Sequence, residues 1–133
     1  MSALGNVHEL HLDGCTGITD VSALGNVHTL SVISCTNLTI IKHLANVHTL
    51  DTSSCANIEE ITDLPNVTNL TTMRCPKLRS LRNLPKLQSL YAFNCLMLRE
   101  ISNISDDNMA DLNVIGCKEL KKIQGKTKVI SFP

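Results

Sequence analysis

Six cysteines stand at positions 15, 35, 55, 75, 95 and 117, spaced by twenty residues four times and then by twenty-two. A thiol can close a disulfide, ligate a metal, act as a nucleophile or sit buried as a weak donor. No C-x-x-C pair is present, which removes the commonest zinc and redox spacings. Three histidines follow the same interval, His8, His28 and His48, while His11 and His43 fall outside it. A row of imidazoles resembles a ligand set, but its separation is fixed by the repeat and no carboxylate motif converges on it. No metal is expected there. Protonation would instead align like charges at short range, so this region is expected to loosen at about pH 5. The sequence has no Gly-rich phosphate loop, no H-E-x-x-H and no G-x-S-x-G, and its carboxylates fall at different repeat positions. Nothing therefore arranges a nucleophile, a base or a phosphate cradle, and neither catalysis nor a cofactor is expected.

The elements that must position these residues follow from the same interval. "LGNVHELHLDGC", "LGNVHTLSVISC" and "LANVHTLDTSSC" begin at Leu4, Leu24 and Leu44, each closing on a cysteine, and an internal period of about 20 to 29 residues marks a solenoid. Within one unit the apolar positions are Val7, Leu10, Leu12, Cys15, Ile18, Val21 and Leu24. The lone step of two, from Leu10 to Leu12, predicts a strand with both leucines inward and Glu9, His11 and Asp13 outward. The steps of three fit a 3₁₀ or polyproline II rhythm better than an α-helix. Each unit is predicted to be one short strand with a tight return, and equivalent strands to stack in parallel about 4.8 Å apart.

Composition agrees with thin, regular layers. There is no Trp, one Tyr and two Phe, so Leu, Ile, Val and Cys must fill the interior. The 133 residues suit one domain spanning residues 1–133. No leader-like sequence opens the chain and no apolar run approaches the roughly 18 residues of a membrane span, so a soluble, unsecreted protein is expected, cytoplasmic or in another reducing compartment. Asn-x-Ser/Thr at Asn37, Asn66, Asn69 and Asn103 is then chance. The formal net charge is zero, yet it is sorted. Residues 1–73 carry seven acids against the base Lys42, while residues 74–133 carry eleven bases against five acids. Such sorting permits head-to-tail steering or an anionic partner near Arg74, Lys77, Arg79, Arg82 and Lys86.

The pattern L-x-x-L-x-L-x-x-C recurs as "VHELHLDGC", "VHTLSVISC", "VHTLDTSSC", "VTNLTTMRC", "LQSLYAFNC" and "MADLNVIGC". It resembles the leucine-rich repeat family in a short form with Cys in place of the usual Asn. "ITDVSALGNVHTL" is also similar to arrays encoded by large amoeba-infecting viruses and, loosely, to bacterial internalin-type repeats, whose units run two residues longer and keep Asn. The resemblance implies a right-handed coil with a curved parallel sheet on its concave face, 3₁₀ or polyproline-like convex segments and little or no α-helix. It also implies that Cys15, Cys35, Cys55, Cys75, Cys95 and Cys117 form a reduced structural ladder in place of the family's Asn ladder, since parallel side chains do not offer a disulfide its right-angled dihedral. The column Asn6, Asn26, Asn46 and Asn66 is expected to serve turn backbone groups between coils.

Such families bind proteins, and that is the expected function. Outward strand positions would line the concave face, mostly with small polar residues, and the exception is Met73, Tyr91 and Phe93, edged by Arg74 and Asn94 and followed by Leu96 and Met97. Aromatic, Met and Arg residues are the types enriched at binding hot spots. The array starts without a polar capping unit over residues 1–6, so an alternative is self-assembly, as in a structural component of a virus particle, with the edge around Leu4, Val7, Glu9 and His11 pairing two copies. Residues 118–133 are expected to form a C-terminal cap, with a closing strand that turns Ile130 and Phe132 inward. Binding of an anionic polymer by the basic half is a weaker alternative; neither a membrane nor nucleic acid is an expected partner.

Overall fold

The structure is a computed structural model that describes residues 8–105, 109–125 and the strand at 129–131. Its elements run β1 (Glu9–His11), β2 (Thr29–Ser31), β3 (Ile40–Lys42), β4 (Thr49–Asp51), β5 (Glu60–Thr62), β6 (Asn69–Thr71), β7 (Ser80–Leu84), β8 (Ser89–Tyr91), β9 (Glu100–Ile104), β10 (Asp111–Asn113), β11 (Lys122–Gly125) and β12 (Val129–Ser131). They wind into a parallel β-solenoid of about six coils. One sheet has the order β1-β2-β4-β6-β8-β10, the other β3-β5-β7-β9-β11-β12. Every pair is parallel except the last, where β12 lies antiparallel to β11 with Ile130 opposite Ile123. A final strand therefore ends the second sheet; the side chain of Ile130, and Phe132 altogether, lie outside the described residues.

Register explains the first sheet. Leu10, Leu30, Leu50, Leu70, Leu90 and Leu112 stand side by side at the centre of successive strands. A one-residue slip would turn each leucine to solvent, and burying each is worth roughly 1.5–3 kcal/mol. In the second sheet Ile41, Ile61, Leu81, Ile101 and Ile123 play that part. These two rows, the valines at 27, 47 and 67 with Leu87, and Leu38, Ile58, Leu78 and Leu98 form one buried cluster, against which the end members Leu10 and Leu112 pack half-buried.

The return path carries more than the spacing suggests. Among the described residues a 3₁₀ turn forms once, at Ser22–Leu24, whereas the later coils place β3, β5, β7, β9 and β11 there. A three-residue strand such as β3 turns a single side chain inward, with Ile41 buried between exposed Ile40 and Lys42. It therefore shows no alternation along the sequence, and its identity lies in its pairing with the next coil.

Two columns of left-handed residues close the corners. Gly14, Ser34, Ser54, Arg74, Asn94 and Gly116, each just before a cysteine, have φ between 58° and 84°. His43, Asp63, Asn83 and Asn103, following the second-sheet strands or ending within them, have φ between 53° and 61°. Asn, Asp and His tolerate that region better than most L-residues. At Gly116, with φ 84°, a Cβ would also displace Asn94 Oδ1, so glycine is favoured there.

Candidate partner-binding face

Outward side chains of the first sheet fall into three columns. The first is Glu9, Thr29, Thr49, Asn69, Ser89 and Asp111, and the second His11, Ser31, Asp51, Thr71, Tyr91 and Asn113. The third runs just past the strands through Asp13, Ile33, Ser53, Met73, Phe93 and Ile115, whose carbonyls accept from the preceding coil: Gly14 N–H to Ile33 O at 2.7 Å, Arg74 N–H to Phe93 O at 3.0 Å, Asn94 N–H to Ile115 O at 2.8 Å. At its N-terminal end this face is held by polar side chains. Asp13 Oδ1 accepts from Ser31 Oγ at 2.6 Å and from Ile33 N–H at 3.0 Å, and Ser31 and Ser53 are buried.

Apolar character rises toward the other end. Met73, Tyr91 and Phe93 are half-buried, packed among their column neighbours, while Arg74 and Asn94 are exposed at the left-handed corner. Tyr91 stands between Thr71 and Asn113 in register. Ile115, next to Phe93, is 73% exposed, and Leu96 and Met97 beyond the corner are 50% and 41% exposed. The column pattern in the sequence contains Ile115, but its exposure follows from its place on the last described coil of that sheet.

The proposed N-terminal edge is less completely seen. Leu4 and Val7 lie outside the described residues. Glu9 and His11 project from β1 and contact each other, Oε1 to Nε2 at 2.6 Å.

The cysteines point inward. From the second coil on, each Sγ donates to a carbonyl of the preceding coil: Cys35 to Leu12 O (3.0 Å), Cys55 to Val32 O (3.2 Å), Cys75 to Thr52 O (3.2 Å), Cys95 to Thr72 O (2.9 Å) and Cys117 to Ala92 O (2.8 Å). All six are free thiols. Burial pushes the Cys55 thiol up to about 12; hydrogen bonding with Cys117 and Cys75, and then burial, also raise Cys95. Hydrogen bonding to Cys95 instead lowers Cys75 and Cys117; a thiol that donates to a carbonyl is protonated, and in that form it is a poor nucleophile. Thr52 and Thr72, buried at the position where other coils carry Leu12, Val32 or Ala92, hydrogen-bond to each other at 2.9 Å.

Comparison with protein-family models, curated proteins and solved structures returns no match.

The sequence pattern did not single out a second feature, a shallow groove of about 520 Å³ lined by His43, Ala45, Asp63, Pro65, Asn83, Pro85 and Asn103. Its polar rail is a chain of side chains, Asn103 Nδ2 donating to Asn83 Oδ1 (2.6 Å) and Asn83 Nδ2 to Asp63 Oδ1 (2.7 Å). The recurrence of His, Asp, Asn and Asn at one repeat position, two residues before Ala45, Pro65 and Pro85, is the signal that marks it. In the asparagine column Asn66 Nδ2 donates to a turn carbonyl, Ala45 O (2.6 Å), whereas Asn46 Nδ2 donates to the side chain of Asn26 (Oδ1, 3.1 Å), and Asn6 lies outside the described residues. Among the described residues no group of three His, Cys, Asp or Glu side chains is placed to hold a metal ion, and no helix is long and apolar enough to cross a membrane.

Proposed function

We propose that this chain is a non-enzymatic protein-binding module of the leucine-rich-repeat kind, which engages its partner through the first-sheet face around Met73, Tyr91 and Phe93, with Arg74 and Asn94 at its edge. One observation carries the reading. On a face made mostly of small polar side chains, the chain's lone Tyr, a Phe, a Met and the 73% exposed Ile115 gather on adjacent coils. Exposed aliphatic and aromatic side chains have no folding role that requires exposure, and patches of this composition are what interfaces use. The test is recovery of binding proteins by the immobilised chain and by a Tyr91→Ala, Phe93→Ala double variant whose circular dichroism is unchanged. Equal recovery by both would remove this face from the account.

Self-assembly is favoured by a different observation. Among the described residues β1 pairs on one side only, and antiparallel pairing of two copies centred on Leu10 would set Glu9 of each against His11 of the other. Light scattering over a hundredfold range of concentration tests it: a constant monomer mass counts against pairing. The anionic-polymer reading is weaker, because Arg79 and Arg82 are already engaged by Glu59 (3.0 Å) and Glu60 (2.7 Å).

A further inference from the structure

Building on the protein-binding reading, we infer that the partner presents acidic residues among bulky apolar ones, and that it docks along the corner edge formed by Met73, Phe93, Leu96, Met97 and Ile115 more than on the flat of the sheet. Two independent distributions coincide there. The first is apolar exposure: of the four large apolar side chains exposed among the described residues, Leu96, Met97 and Ile115 lie on this edge, and only Ile40 lies elsewhere. Backbone hydrogen bonds from Arg74 to Phe93 and from Asn94 to Ile115 put Met73, Phe93 and Ile115 on consecutive coils. Leu96 and Met97 follow Phe93 around the same corner, on either side of the path set by the inward Cys95 and Leu98.

The second distribution is charge. On the corner positions of the fourth to sixth coils (73–77, 93–97 and 115–119) stand Arg74, Lys77 and Lys118 against the lone acid Glu119. The same positions of the first three coils (13–17, 33–37 and 53–57) hold one charge, Asp13. None of the three cations takes part in an ion pair among the described residues; Lys77 Nζ donates to the neutral Asn57 Oδ1 at 2.9 Å. The exposed apolar surface and the unpaired positive charge thus coincide, and the opposite end of the same edge carries only the half-buried Ile33 and the acid Asp13. A partner that buries the apolar residues must bring its own flank against that rim, where acidic groups gain and basic groups lose. The apolar side chains would supply most of the affinity and the rim the orientation and the rate of encounter.

The test is a selection of random displayed peptides on the full chain, followed by synthesis of the selected sequences and fluorescence anisotropy at low and high salt. Expected is enrichment of Asp and Glu next to Leu and Phe, with affinity that falls as salt rises. An Ile115→Ser or Phe93→Ala variant should weaken these peptides about tenfold. A double Arg74→Glu, Lys118→Glu variant should weaken them similarly and abolish the salt dependence, while Ile33→Ser, in the same column at the other end, should leave them unchanged. Circular dichroism of every variant separates lost contacts from lost fold. Peptides that are neutral or basic yet depend on Ile115 would overturn the acidic chemistry and leave the protein-binding reading standing. Peptides indifferent to Ile115 and Phe93 would overturn this edge as the site. Failure to select any peptide, together with a dimer by light scattering that Ile115→Ser abolishes, would make a second copy the occupant and overturn the inference. No peptide and a monomer would remove both the inference and the reading it rests on.

Discussion

At the scale of single residues the histidine stack and the thiol ladder both hold shifted proton affinities. The rings of His8, His28 and His48 stack with centroids 4.5 and 4.0 Å apart. Nδ1 of His28 is shielded without a hydrogen-bond partner, and desolvation, followed by repulsion from His48 and His8, holds its pKa below the ordinary 6.5. His11 is raised, mainly by its hydrogen bond to Glu9. Below 6.5 the unfolded chain takes up a proton at position 28 that the folded stack resists, so that contribution falls as pH drops. The His11 contribution has the other sign: it is complete below 6.5 and lost as pH rises through its raised pKa. The melting temperature is therefore expected to fall between about pH 7.5 and 5, less steeply in His28→Gln and more steeply in Glu9→Gln; a His28→Gln profile with the wild-type slope would refute the stack's role. The ladder is divided: burial raises Cys35 and Cys55, whereas hydrogen bonding to Cys95 lowers Cys75 and Cys117. Cys55→Ala would remove one of the two donors to Val32 O, leaving Cys35 N–H at 3.1 Å, and open a small void, an expected loss of about 1–2 kcal/mol by chemical denaturation. Because Cys15 alone is only half-buried, it is expected to be alkylated first in the native protein; equal labelling of all six thiols would contradict the burial. Thiols every twenty residues were legible from sequence as a repeating inward position. The ring stacking and the unpartnered Nδ1 were not, because they depend on the distance between coils.

At the scale of elements, the corners decide the coil. Ser34, Ser54, Arg74 and Asn94 take the left-handed conformation that the ends of their column give to Gly14 and Gly116. An L-residue there costs roughly 1–2 kcal/mol, and Ser54 makes no side-chain hydrogen bond that would offset it. Ser54→Gly is accordingly expected to stabilise the chain by about 0.5–1 kcal/mol, or roughly 3 °C in melting temperature. Ser54→Ala should give no such gain. The first-sheet strands were legible because Leu10 and Leu12 are two apart and flanked by outward polar residues. The second-sheet strands were not: β3 and β5 each turn one side chain inward, which a step of three describes as well as a 3₁₀ turn does. Their strand character comes from hydrogen bonds to residues twenty positions away, such as Ile41 beside Ile61.

For the whole molecule, burial is graded along the axis. Leu50, Leu70 and Leu90 are at most 1% exposed, whereas Leu10, Leu12, Cys15 and Ile18 of the first described coil are only partly buried. In a quasi-one-dimensional stack each coil leans on its neighbours, so Leu70→Ala is expected to lose about 2–5 kcal/mol and Leu10→Ala clearly less. Hydrogen exchange should be slowest in β4, β6 and β8 and fastest in β1; uniform protection would argue against this gradient. The same axis sorts the surface, acidic residues toward one end and the basic, apolar corner toward the other. By itself the sequence determined the period, the inward leucines and cysteines, the parallel stacking of the first sheet and the charge sorting, because each is a property of one unit repeated. Only the tertiary structure decided that the return path is a second sheet, that His28 Nδ1 has no partner and that Ile115, Leu96 and Met97 stand exposed beside Phe93. Those outcomes depend on which side chains meet across coils and which coil is last, and no single repeat carries that information.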